Sequence, residues 1–274
     1  MNTELRNKIL TRLESMEGKV GFYFKNLVTG ETVGYNEKEQ FLPASIVKVP
    51  LLAAMMLMRE RGETDFRELI TVPKEEMRPG CGVVQHMTGD ESGAVTLDIN
   101  TLYRFMIVIS DTTATNALYK HYGNEKIIET LKELGFKGTQ FNRAYYDSVR
   151  EEAGIQNYFV PEEMGDMFEK MYNRTLISKK ASEDMENILL LQQINHKMGG
   201  RMPEGFPIAH KTGEEEDKTH DLGIVYVREP FFVCFASYET DIPEFEQFIR
   251  DTTYEIAADI DPELKPMEGK KGFF

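Results

Sequence analysis

The sequence predicts a mixed α/β protein of the α+β type: a five-stranded antiparallel sheet flanked by N- and C-terminal helices, with an all-helical block inserted between its strands. Three observations predict it. Two strand-like segments lie near the start of the chain, three β-branched and aromatic segments lie near its end, and helical periodicity fills the middle. A sheet assembled from both chain ends is the simplest way to connect them. The expected division is 1–42 with 200–274 as the sheet domain and 43–199 as the helical domain, with a functional cleft between the two.

Each element has its own signal. Leu5, Ile9, Leu13 and Met16 recur at helical spacing and open the chain with a surface helix. Segments 20–27 and 32–35 flank a Thr29-Gly30 turn and read as a hairpin. Leu102, Phe105, Met106 and Ile109 form one apolar stripe, and Ile127, Ile128, Leu131 and Leu134 form a second. A third, Met164, Met167, Phe168 and Met171, is opened by Pro161 with Glu162 and Glu163 in its first turn. Past Gly199-Gly200, segments 208–212, 222–227 and 231–238 are dense in strand-forming residues. Phe245, Phe248, Ile249 and Ile256 mark a closing helix, and 262–274 reads as an irregular tail.

Composition narrows the function. The 274 residues include 46 acidic and 32 basic side chains, a net charge of -14, which repels nucleic acid and anionic membrane surfaces. Nothing approaches the apolar length of a membrane-spanning helix. The N-terminus has no export-signal pattern, so the chain as given is expected in the cytoplasm, and secretion would require it to be a trimmed mature form. Cys81 and Cys234 show no zinc or redox spacing, leaving a disulfide open, and Cys81 is expected as a small buried hydrophobe near a cleft mouth. His86, His121, His196, His210 and His220 are scattered without ligand spacing, so neither metal nor cofactor is expected. A monomer acting on a small molecule fits this composition.

The chemistry lies in three short motifs. Residues 41–50 end an extended segment and begin an apolar helical run through Leu51, Leu52, Met55 and Met56, placing Ser45 where the helix starts. Residues three apart on a helix share a face, so the Lys48 amine comes within hydrogen-bond reach of the Ser45 hydroxyl. Burial would lower the lysine pKa and let it accept the serine proton, and the helix N-terminus would add positive charge where an oxyanion forms. Alone, this pair reads more readily as an N-cap serine and a surface lysine. It does not stand alone. Ser110-Asp111-Thr112 sits where a loop between two helical stripes projects a hydroxyl, and Lys211-Thr212-Gly213 lies on a predicted strand.

Ser-x-x-Lys, Ser-Asp-x and Lys-Thr-Gly in this order resemble class A β-lactamases and penicillin-binding proteins, over roughly residues 20 to 260. The segments Gly80-Cys81-Gly82-Val83-Val84-Gln85-His86 and His220-Asp221-Leu222-Gly223-Ile224-Val225 are similar to that family's cleft-mouth loop and to the strand after Lys-Thr-Gly. The resemblance implies the β-lactamase/transpeptidase-like fold. It also implies Ser45 as nucleophile, Lys48 as base and Ser110 as proton relay, with Lys211 and Thr212 binding the substrate carboxylate or tuning Ser110. Thr112, Thr212, Gly213 and Cys81 would line the substrate site, and the Ser45 and Glu214 N–H groups would form the oxyanion hole. Asn116 would brace the cleft-floor loop.

The pattern departs from the family in two places. Aligned on Arg143, the floor-loop glutamate that activates the deacylating water is replaced by Tyr145, and a phenol with a pKa near 10 is a poor base. Asp147, Glu151 and Glu152 are the substitutes the loop offers. The third position of Ser-Asp-Asn is Thr112, whose hydroxyl reaches less far than a carboxamide. The expected activity is hydrolysis of β-lactam or related amide and ester bonds through an acyl-enzyme on Ser45, with slow deacylation. Two alternatives stay open: a penicillin-binding or β-lactam-sensing protein that acylates without turnover, and a cytoplasmic esterase or peptidase.

Overall fold

The computed structural model describes residues 1–265. Helix α1 (Thr3–Ser15) starts where the Asn2 side chain accepts the Leu5 N–H, and it buries Ile9 and Leu13. Strands β1 (Lys19–Asn26) and β2 (Thr32–Tyr35) pair as the expected hairpin. A 3₁₀ turn, Ala44–Val47, then runs straight into α2 (Lys48–Glu60), so Ser45 lies in the turn before the α-helix and not at its first residue. Ten of the thirteen α2 residues are buried, which makes it the central helix of the structure.

The inserted block is not wholly helical. Strands β3 (Leu69–Val72) and β4 (Val95–Asp98) form a separate two-stranded sheet within it. Both are only four residues long, too short to show a periodicity of their own. The remaining elements there are α3 (Ile99–Val108), α4 (Thr112–Tyr122), α5 (Asn124–Glu133), α6 (Ser148–Glu152), α7 (Pro161–Tyr172) and α8 (Lys179–Leu189). The segment around Ser110-Asp111-Thr112, expected as a loop, turns helical at Thr112 because Asp111 caps α4 by accepting the Ala114 N–H.

Strands β5 (Ile208–Glu215), β6 (Lys218–Val225) and β7 (Phe231–Tyr238) return to the first hairpin, and the main sheet has the order β2-β1-β7-β6-β5, antiparallel throughout. Helix α9 (Ile242–Ile260) closes the structure. The sequence pattern places the start of β6 at Leu222, but Lys218, Thr219, His220 and Asp221 are also strand and are buried. Of the expected irregular tail, 266–274 lies outside the described residues.

Two cores sandwich the sheet. Phe22, Phe24, Val233 and Phe235 pack with Leu13, Phe245, Phe248 and Ile256 from the terminal helices. From the opposite face, Tyr23, Phe232, Leu222 and Cys234 join the core built on α2, α7 and α8. Each fully buried phenylalanine contributes on the order of 2–3 kcal/mol, so this double cover fixes the strand faces. That fixes the site as well, because β5 is left as a free edge beside the Ser45 turn.

Candidate active site

Ser45 is held from three sides. Strand β5 approaches closely at Gly213, where a Cβ would lie 3.0 Å from the Pro43 carbonyl oxygen and 3.1 Å from Ile46 Cγ1. This accounts for glycine in Lys-Thr-Gly: any side chain would push the edge strand off the serine turn. The turn carries backbone strain, since Ala44 adopts φ 43° while 3% exposed. Behind it, His220 Nε2–H donates to the Leu42 carbonyl at 2.9 Å and its Nδ1 accepts the Ser237 N–H at 3.2 Å. Burial pushes this imidazole down to about 3, so it is a neutral anchor with a fixed tautomer.

Lys48 Nζ lies 2.8 Å from Ser45 Oγ, 2.7 Å from the Ser110 carbonyl oxygen and 2.9 Å from Ser110 Oγ. It is fully buried, and desolvation pushes it down to about 7, against weaker upward effects of Cys81, Asp111 and Glu215. A neutral amine has two N–H donors and one lone pair. If the two donors serve Ser110, the lone pair faces the Ser45 hydroxyl. Ser110 Oγ also accepts from Lys211 Nζ at 3.0 Å, and Lys211 is itself pushed well below its ordinary range by burial and by Lys48. Both lone pairs of Ser110 Oγ are then occupied, and its own proton is free for a third partner.

Ser110 sits at φ 58°, in the left-handed region, immediately before α4. Asp111 holds it there. This carboxylate is 1% exposed and accepts the N–H groups of Val83 at 2.6 Å, Val84 at 2.9 Å and Ala114 at 2.8 Å. It ties the loop at the cleft mouth to the start of α4, and a Cβ on Gly82 (φ 100°) would collide with it at 2.1 Å. The Thr112 N–H donates to the Cys81 carbonyl at 3.0 Å in the same contact. The Cys81 side chain is exposed, correcting the expectation of a buried hydrophobe; its loop lies on the surface, and both cysteines are free.

Asn116 clamps the floor loop as a two-way hydrogen-bond bridge, accepting the Tyr145 N–H at 2.9 Å and donating to the Tyr145 carbonyl at 2.8 Å. The Tyr145 hydroxyl donates to the Ala44 carbonyl at 2.8 Å, and its ring lies 5.0 Å from Lys48 Nζ. Burial raises its pKa further, so the phenol stays protonated and is no base. The substitute carboxylates are engaged elsewhere: Asp147 caps α6 and Glu151 pairs with Arg143 at 2.8 Å, while Glu152 is exposed. A cavity of about 110 Å³ opens beside Ala44, between Arg143 and Tyr145 on one side and Glu215 and Lys218 on the other.

Strand alternation sorts the rest of β5. Lys211 faces Ser110, whereas His210 turns away, with Nδ1 2.8 Å from Asp221 and Nε2 2.7 Å from Asn195. Thr212 is buried at 2%, and its carbonyl accepts from Lys211 at 2.7 Å. The Glu214 carboxylate meets the buried Lys197 at 2.9 Å. His196 Nε2 lies 3.4 Å from Glu214 and 3.6 Å from Glu246, a convergence that linear spacing did not show. Lys197 beside Glu214 and Arg250 beside Glu246 already supply the matching cations. Sequence reasoning also missed Lys197, His220 and the tethering by Asp111; only Asp111 carried a local signal, as a capping residue before Thr-Thr-Ala.

Fold and site together define a serine β-lactamase-like hydrolase. The chain belongs to the beta-lactamase enzyme family, whose model matches residues 4–260. It is 24% identical over 206 residues to the β-lactamase CARB-4 of Pseudomonas aeruginosa, covering 73% of this chain and 68% of that one. To VEB-1 of the same organism it is 20% identical over 229 residues, covering 80% and 76%. Among solved structures, PBP-A superposes with a TM-score of 0.83 at 21% identity, covering 95% of this chain and 97% of that one. A β-lactamase from Sphaerobacter thermophilus gives 0.82 at 24%, covering 94% and 98%. No helix among the described residues is long and apolar enough to cross a membrane.

Proposed function

We propose that the protein cleaves β-lactams, or related amides and esters, through an acyl-enzyme on Ser45 that is released slowly. The observation that carries this is the Lys48 amine, fully buried and 2.8 Å from Ser45 Oγ. Its lone pair takes the Ser45 proton as Oγ bonds to the carbonyl carbon. The N–H groups of Ser45 and Glu214 receive the oxyanion. As the tetrahedral intermediate collapses, the ring C–N bond breaks and the leaving nitrogen takes the proton of Ser110, which Lys48 replaces. Lys211 and Thr212 receive the substrate carboxylate, while Thr112, Gly213 and the exposed Cys81 border the bound acyl donor.

Slow release follows from Tyr145. A protonated phenol stands where the family places a carboxylate, and none of Asp147, Glu151 and Glu152 hydrogen-bonds to Ser45 or Lys48 among the described residues. The same chemistry stopped at the adduct would make a penicillin-binding protein, and PBP-A is a structural neighbour. The protein acts as a monomer in this reading, since its apolar stripes are spent on its own two cores.

Intact-mass spectrometry after mixing with benzylpenicillin tests the reading. The expected result is one adduct of the intact drug's mass that decays over minutes to hours, and none in Ser45→Ala. Wild-type protein that neither forms an adduct nor consumes any lactam or ester offered would remove the proposal.

A further inference from the structure

We propose that Tyr145 is a positioning residue that keeps water away from Lys48, so that the amine stands ready as a proton acceptor without a neighbouring carboxylate. This rests on reading Ser45 and Lys48 as nucleophile and base. It goes beyond that reading by giving Tyr145 a part in acylation, where the pattern of motifs shows only a lost deacylation group.

The geometry is specific. Tyr145 is fixed at both backbone atoms by Asn116 and at its hydroxyl by the Ala44 carbonyl. Three anchors hold the ring at 5.0 Å from Lys48 Nζ, whose hydrogen bonds run to Ser45 and Ser110. The groups that face Lys48 come from four other segments: Tyr145 from the floor loop, Cys81 from the mouth loop, Ser110 and Asp111 from the start of α4, and Lys211 and Glu215 from β5. Only Asp111 and Glu215 among them are carboxylates. Asp111 is taken up by three backbone N–H groups and Glu215 by Lys218 at 2.6 Å, so neither is a direct counter-ion for the amine.

A ring and a carboxylate at this position act in opposite directions. A carboxylate would hold Lys48 charged by direct Coulomb attraction. The phenol excludes water and adds no charge. Its π face attracts an ammonium, and in this proposal the water that its ring displaces from the buried amine counts for more.

The test is the titration of Lys48, followed by NMR in protein carrying ¹³C-labelled lysine, with the resonance assigned through Lys48→Arg. Expected is a wild-type midpoint near 7, unchanged in Tyr145→Phe, which keeps the ring, and raised by roughly one pH unit or more in Tyr145→Ala, which admits water. Acylation at pH 6.5 should then fall about tenfold in Tyr145→Ala, because a midpoint one pH unit higher leaves tenfold less of the amine as free base. If Tyr145→Ala does not fold, Tyr145→Gln, which leaves a smaller gap and puts a polar amide in place of the ring, carries the same expectation. A midpoint that stays put in the folded variant overturns the proposal. Failure of wild type to acylate would overturn the reading of Ser45 instead, and the midpoints would still decide the role of Tyr145.

Discussion

At the scale of single residues, the amine proposed as the base is also one that the fold holds against its own stability. Lys48 titrates near 7 when folded and near 10.4 when unfolded, so between those values the unfolded chain binds more protons and stability rises with pH. Below about pH 7 the penalty is present in full. Lys48→Met keeps similar bulk and removes it, so the variant should be about 1–3 kcal/mol more stable at pH 7, with the gain shrinking toward pH 10, and should form no adduct. Urea unfolding at pH 7 and 9.5 checks this; a less stable variant at pH 7 would show that the three hydrogen bonds of the amine outweigh its desolvation. The contact of Ser45 with Lys48 was legible because it is local, three residues apart, and because two further motifs followed it in order. The roles of His220 and Lys197 were not, since His220 acts on Leu42, 178 residues away, and Lys197 on strand carbonyls at Gly213 and His220.

Among the elements, the start of α4 does more than end a loop. Asp111 joins the cleft-mouth loop to the α4 N-terminus through three N–H groups, so the Ser110 backbone is fixed from both sides. Asp111→Ala leaves those buried donors without an acceptor and should cost about 2–4 kcal/mol, with Asp111→Asn in between. Acylation should fall in parallel, because Ser110 is free to leave its left-handed conformation. Denaturant midpoints and adduct-formation rates measured together test the link; lost stability with an unchanged rate would mean that Ser110 is held by Lys48 and Lys211 alone. Elements with long apolar periods, such as α7 and α9, were readable because a stripe needs several turns to show. The start of α4 was not, since Thr112-Thr113-Ala114-Thr115 has weak helix propensity and is buried through tertiary packing. The β6 segment 218–221 was hidden by its polarity. Lys218 bonds to Glu215 and Asp217, the Thr219 N–H donates to the Ser237 hydroxyl, and Asp221 pairs with His210.

For the whole molecule, two properties act on the same reaction from different distances. The sheet, covered on both faces, leaves β5 as the edge that carries Lys211 to Ser110, where the proposed reaction has it receive the substrate carboxylate. The architecture behind this was visible in the order of segments, because strands at both ends around a helical middle close most simply into one sheet, whereas the edge position of β5 depends on long-range pairing. Around that site the chain carries a net charge of -14, which repels a penicillin monoanion on approach. Screening separates the two effects. The Debye length falls from about 30 Å at 0.01 M ionic strength to about 8 Å at 0.15 M, so the distant negative charge is damped while contacts of a few ångströms at Lys211 persist. The second-order rate of adduct formation with benzylpenicillin should therefore rise by roughly two- to threefold between these salt concentrations. An aminopenicillin, with no net charge, should show little change. A benzylpenicillin rate that falls with salt would mean that the cations at the cleft, and not the charge of the molecule, set the field that an approaching substrate meets.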